Sequence, residues 1–191
     1  MEATEKKVIE KALEGDRNAV KLLYDRYSDF LTAICSRFFP ARVDQCDILQ
    51  DSFVKIFSSL DRFVYKGEGS LKAWMKQITI NECLKTLRNR KRSVPIVYEG
   101  ELRDTEEEDD SGPPDLTDVP AGVIHRMIQE LPEGYRAVFN LFALERKPHK
   151  EIARLLGISE STSASQFARA KGLLAKKIIE YSSNNKVNKK R

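Results

Sequence analysis

A single glycine between two amphipathic stretches restricts this chain more than any other feature. Lys150 to Leu156 places Ile152, Ala153 and Leu156 on one helical face. Gly157 comes next, and glycine takes a positive φ at little cost, so a sharp turn is expected there. Ile158 plugs the corner. Ser159 is a natural N-cap for a second helix, with Glu160 favourable in its first turn. In that helix Phe167, Ala170 and Leu174 recur at i, i+3 and i+7, a narrow core stripe. Thr162, Ser165, Gln166 and Arg169 share another face, and such side chains hydrogen-bond base edges and phosphates in a major groove. The stretch from His149 to Lys177 therefore reads as a DNA-binding helix-turn-helix. An ordinary helical hairpin has the same outline, and the rest of the chain must decide between them.

The chain has 191 residues, room for one or two small domains with real cores. Hydrophobic residues make up 41% and charged ones 32%, a soluble globular profile. No apolar run approaches membrane-spanning length, and Met1 to Glu14 is too polar for a signal peptide. Cys35, Cys46 and Cys83 lack CxxC spacing and fall in helical apolar patterns, so buried free thiols in a reducing cytoplasm are expected. The net charge of +4 is modest but unevenly spread. Basic residues gather at Lys85 to Arg92 and from Arg146 onward, with an acidic stretch between them. That pattern suggests nucleic acid at two separate places.

Upstream, Lys6 to Leu13 is a short helix closed by Gly15. Asp16 caps a longer one that runs to about Phe39 and stops at Pro40, with Leu23, Tyr27, Phe30, Leu31 and Ile34 apolar. The third helix, from Val43 to Leu60, sets Leu49, Phe53, Ile56, Phe57 and Leu60 on one side. Asp47, Gln50 and Asp51 lie on the other, where a solvated acidic face is the simplest reading. A loop from Asp61 carries Phe63, Tyr65, Gly67 and Gly69, and Ser70 is positioned to cap the fourth helix.

Leu71 to about Arg92 is a long helix with Ile80, Cys83 and Leu87 along one side. Trp74, Gln77, Asn81, Lys85 and Arg88 line up near the other. An aromatic to stack on a base, amides to read edges and cations to hold phosphates suit single-stranded nucleic acid. A core tryptophan beside a solvated face fits the spacing equally well. The run Arg88, Arg90, Lys91, Arg92 adds a phosphate-binding end.

Residues 93–118 read as a disordered linker, since Glu106 to Asp110 repel one another and Gly112-Pro113-Pro114 breaks helices. Pro120 opens the next helix, Pro132 another containing Tyr135, Val138, Phe139 and Phe142, and Pro148 starts the helix-turn-helix. The tail, 182–191, is basic and expected to fray. The expected architecture is all-α. Two small helical domains, 1–92 and 119–181, are joined by the acidic linker, and the second contains the helix-turn-helix. Catalysis is not expected. His125 and His149 are isolated, and no phosphate loop, nucleophile motif or metal-ligand spacing occurs, so no cofactor, metal or small-molecule substrate is implied.

Two separated stretches resemble one family. Leu131-Pro-Glu-Gly-Tyr-Arg-Ala-Val-Phe-Asn-Leu, with His149-Lys-Glu-Ile-Ala and Leu156-Gly-Ile-Ser, is similar to the C-terminal DNA-binding domain of bacterial extracytoplasmic-function sigma factors. Asp47-Ile-Leu-Gln-Asp-Ser-Phe-Val-Lys-Ile-Phe, with Ala73-Trp-Met and Asn81-Glu-Cys-Leu-Lys-Thr-Leu-Arg, resembles their N-terminal domain. The resemblance implies a cytoplasmic alternative sigma factor that brings RNA polymerase core enzyme to promoters and assists opening. It implies docking on the polymerase clamp through Asp47, Gln50 and Asp51. It places −10 reading and melting on Phe63, Tyr65, Trp74, Gln77, Asn81, Lys85, Arg88 and Arg90. It assigns −35 reading to Lys150, Thr162, Ser165, Gln166, Arg169 and Lys171. An anti-sigma factor, commonly membrane-anchored in this family, is the implied regulator.

Departures from the family pattern bear on recognition. Ser163 stands where a branched apolar residue is usual, which should loosen the recognition helix, and Ala164 and Gln166 stand where basic residues are common. The rival reading is a stand-alone helix-turn-helix regulator, in which Asp47, Gln50 and Asp51 have no polymerase role.

Overall fold

The computed structural model describes residues 4–93 and 119–188, and every regular element among them is helical. The expected acidic linker therefore lies outside the described residues, apart from Ser93. The chain divides into two compact units, Met1–Thr86 and Leu87–Arg191, with the division inside the long fourth helix.

In the first unit α1 (Glu5–Leu13) buries Val8 and Ile9 against α2 (Arg17–Phe38). Asp16 caps α2 as expected, its Oδ1 accepting from the Asn18 and Ala19 amides at 2.8 and 3.4 Å. Leu23, Tyr27, Leu31, Ile34, Cys35 and Phe38 then recur on its buried face. The Tyr27 hydroxyl donates to Glu5. At the corner into α3 (Arg42–Ser58), Gln45 Nε2 donates to the carbonyls of Phe39 at 2.8 Å and Pro40 at 3.2 Å, orienting the new helix. Ile48, Ser52, Phe53 and Ile56 of α3 are buried, and Phe53 packs on Tyr24 at 4.5 Å between centroids.

A single 3-10 turn, Leu60–Arg62, leads through the loop to α4 (Ser70–Ser93). Ser70 does not cap this helix in the expected sense. Its hydroxyl closes the loop instead, accepting from the Lys66 amide at 3.2 Å and donating to the Gly67 carbonyl at 2.6 Å. Gly67 and Gly69 both take positive φ, 110° and 81°, which makes that tight path open to glycine and strained for other residues. Of the cysteines, Cys35 and Cys83 are buried, while Cys46 is exposed and corrects the expectation for that residue.

The second unit packs α5 (Ala121–Gln129), α6 (Glu133–Phe139), α7 (His149–Leu156) and α8 (Glu160–Asn188). Pro120, Pro132 and Pro148 occupy the N-cap positions of α5, α6 and α7. Each is held at a negative φ that suits helix entry and lacks the N–H that a helix start leaves unpaired. One cluster of the core here is Val119, Met127, Ile128, Leu131, Ala170, Leu174 and Ile178, and Val138, Leu141 and Ile152 are buried as well. Arg136 is buried and donates to the Gln129 and Leu131 carbonyls, both at 2.7 Å, which ties α6 to the end of α5. A π-helical turn, Asn140–Leu144, extends α6. The last helix runs past Ser182 to Asn188.

Candidate nucleic-acid interface

The helix-turn-helix forms as the local sequence dictates. Gly157 ends α7 at φ 65°, and the Ile158 amide donates to the Ala153 carbonyl at 3.1 Å to close the turn. Ser159 caps α8, its Oγ accepting from the Thr162 amide at 3.0 Å. Behind α8 lies an aromatic cluster. The His149 ring stacks on Phe142 at 4.4 Å, and Phe142 meets Phe167 at 4.3 Å.

Ser163 is fully buried there, and its Oγ lies 3.0 Å from His149 Nδ1. The polar residue expected to loosen this packing is thus satisfied by a side chain from the neighbouring helix. Only the tertiary partner reveals that role, although His149 lies fourteen residues upstream.

Gln166 requires a correction. Its spacing places it on the groove-facing side, but it is 4% exposed and packs against α6. A Cβ added at Gly134 would stand 3.4 Å from its amide, so the Gln166 side chain lies directly against Gly134. Gln166 is removed from the reading set. Ser165, Arg169, Lys150 and Lys171 are exposed, and Thr162 is half-buried. Arg169 Nη1 lies 3.4 Å from the Tyr135 hydroxyl, and Lys171 sits over the Phe167 ring at 5.3 Å.

Along α4, Gln77, Asn81 and Lys85 are exposed within the first unit and Arg88 just past the division. Gln77 Nε2 donates to Asn81 Oδ1 at 3.0 Å, so the amides hold each other in line along the stripe. Trp74, open between stacking and core from its spacing, is half-buried against Phe63 at 5.2 Å. That contact seats the start of the glycine-bearing loop on α4. Tyr65 is half-buried in the same loop, and Arg90 is half-buried near the helix end.

The buried side of α4 holds one residue that sequence reasoning passed over. Glu82 accepts from Lys55 Nζ at 2.7 Å and from Lys85 Nζ at 3.1 Å. Burial pushes its carboxyl up, but Lys55 and then Lys85 more than offset this, and it lies below the usual carboxylate range. Met75, Thr79 and Glu82 recur at i, i+4 and i+7, so a helical wheel places Glu82 in a core stripe. On α3, Asp47, Gln50 and Asp51 are exposed, with Val43 and Val54 exposed on the same helix.

Two family models match the chain in this order. The model for sigma-70 region 2 matches residues 23–93, and the model for sigma-70, region 4 matches 121–174. The chain belongs to the sigma-70 family. It is similar to the extracytoplasmic-function RNA polymerase sigma-E factor of Haemophilus influenzae, 27% identical over 186 residues, covering 92% of this chain and 95% of the relative. The sigma-E factor of Escherichia coli K12 is likewise 27% identical over 183 residues, covering 92% and 94%. Among solved structures, CnrH in complex with the cytosolic domain of CnrY matches at 21% identity with a TM-score of 0.43, covering 90% of this chain and 95% of that one. The sigma factor RpoE in complex with the anti-sigma factor NepR from Bartonella quintana matches at 19% with a TM-score of 0.47, covering 84% and 96%. Regions 2 and 4 in succession make the chain an alternative sigma factor of the extracytoplasmic-function kind, which directs transcription initiation. No helix among the described residues is long and apolar enough to cross a membrane.

Proposed function

We propose that the two helical units divide promoter recognition between them, with RNA polymerase core enzyme and promoter DNA as partners. The first unit docks on the polymerase clamp through Asp47, Gln50 and Asp51. The −10 element is read and opened by the loop bearing Phe63 and Tyr65 together with Trp74, Gln77, Asn81, Lys85, Arg88 and Arg90 of α4. The second unit reads the −35 element with Lys150, Thr162, Ser165, Arg169 and Lys171. The chain acts in the cytoplasm without catalysis, cofactor or metal, and an anti-sigma factor restrains it. Residues 93–118 serve as the connection between the domains.

The observation that carries this reading is the division of α3. Its apolar side is sunk in the core, while Asp47, Gln50 and Asp51 stay exposed with the flanking Val54, 69% exposed. An acidic face with an apolar edge suits a basic partner helix. Asp47→Ala combined with Asp51→Arg removes the attraction and leaves a partner cation unpaired. The double variant should fold within about half a kcal/mol of the parent. It should lose about 2–5 kcal/mol of core-polymerase association. The readout is core binding by the purified variant together with run-off transcription. Wild-type core affinity in the variant would overturn the docking assignment, and no core binding by the parent would favour the stand-alone regulator.

A further inference from the structure

The buried carboxylate of Glu82 is more heavily paired than its own charge requires. It is 3% exposed, with one lysine on each oxygen, Lys55 from α3 and Lys85 from α4. One ammonium neutralises one carboxylate, and one lysine is enough to tie the two helices together. Two lysines leave a net positive charge, and their side chains are 56% and 57% exposed. An ammonium has three N–H donors. Each uses one on Glu82 and keeps two for an outside acceptor. Because they occupy the two oxygens of one carboxylate, the ammonium groups are held side by side, a spacing that like charges do not keep by themselves.

Lys85 lies on the exposed stripe of α4 with Gln77, Asn81 and Arg88, whereas Lys55 belongs to the neighbouring helix. We propose that Lys55 and Lys85, held together by Glu82, form a phosphate-binding clip for the promoter strand opened along α4. Lys55 is then a further DNA-binding residue, and Glu82 is a positioning residue. The inference rests on the reading of that stripe as the −10 surface. The clip reads no sequence, since an ammonium acts on phosphate as a point charge. Asp51 also acts on Lys85 through its charge. It lies on the proposed docking face, where a partner cation would occupy it and leave the clip's charge to the DNA.

The test uses the full chain assembled with core polymerase at saturating sigma, so that any docking defect is titrated out. Binding of short single-stranded oligodeoxynucleotides of two unrelated sequences is measured across a salt series, with core enzyme alone as background. Lys55→Ala should weaken both oligonucleotides several-fold and equally, and flatten the log–log salt dependence by about 0.7, the loss of one phosphate contact. Lys55→Arg should restore both. Glu82→Gln adds positive charge, so a purely electrostatic surface would bind more tightly; a positioned clip binds more weakly. Asn81→Ala and Arg88→Ala serve as the stripe's own controls. If they weaken binding while Lys55→Ala leaves affinity and slope unchanged, the clip is overturned and the stripe stands. If none of them changes binding, the stripe reading itself fails. A Lys55→Ala defect confined to core association, with normal oligonucleotide binding at saturation, assigns Lys55 to the docking face and overturns the clip.

Discussion

Gln166 and Arg169 lie one helical turn apart on α8, and their fates differ because of what faces them. Arg169 is exposed, and its long cationic side chain can reach a base edge or phosphate. Arg169→Ala should cost about 1–3 kcal/mol of −35 binding with the fold intact, measured as holoenzyme affinity for promoter duplex. Gln166→Ala should do the reverse. It empties a buried position against Gly134, so chemical denaturation should report a loss of about 1–2 kcal/mol. Promoter selectivity should stay as in the parent. A selectivity change in Gln166→Ala with unaltered stability would return that residue to the reading set.

Glu82 makes a pH prediction at the same scale. Its carboxyl lies below the ordinary value of 4.5 in the folded protein. A depressed carboxyl contributes stability that is fully present above the unfolded value and is lost as pH falls through the folded one. Glu82→Gln should therefore be less stable than the parent near neutral pH by about 1–3 kcal/mol, since charge-assisted bonds are lost. The gap should narrow below about pH 4.5. Denaturant melts at several pH values check it, and a gap that is constant with pH would mean that the charge of Glu82 plays no part.

At the scale of an element, α4 performs opposite tasks on its two sides. Leu71, Met75, Ile80, Cys83, Leu84 and Leu87 are buried, while Gln77, Asn81, Lys85 and Arg88 are exposed as a polar stripe. Replacing Asn81 and Arg88 together by alanine leaves every buried contact in place. The double variant should still bind core polymerase yet impair strand opening, read as permanganate reactivity of −10 thymines. Thymines as reactive as with the parent would reduce the stripe to a solvated helix face. Trp74 is unsuited to that test. Its packing on Phe63 makes truncation a stability change as well as a loss of stacking surface.

At the scale of the whole molecule, each unit carries its own core, and stability should respond unit by unit. Leu31 is fully buried in the first unit and Leu141 in the second. Leu31→Ala and Leu141→Ala should each cost about 2–5 kcal/mol, and each should lower one thermal transition and leave the other in place. A single transition shifted equally by both would show that the units unfold as one.

Much of this molecule is determined by residues adjacent in the chain. The Asp16 cap, the proline helix starts and the Gly157 turn depend on local backbone chemistry, so the sequence determined the helices and the helix-turn-helix by itself. The exposed Asp47, Gln50 and Asp51 and the line from Gln77 to Arg88 came from helical period alone. What only the tertiary structure decided is which polar side chains are buried. Gln166, Ser163 and Glu82 look surface-bound by type, because burying an unpartnered polar group is costly. Each lies instead against a distant residue: a glycine on α6, an imidazole on α7 and a lysine on α3. Helical period assigns a face to each residue, but the burial of a polar side chain depends on a partner that the local sequence does not contain.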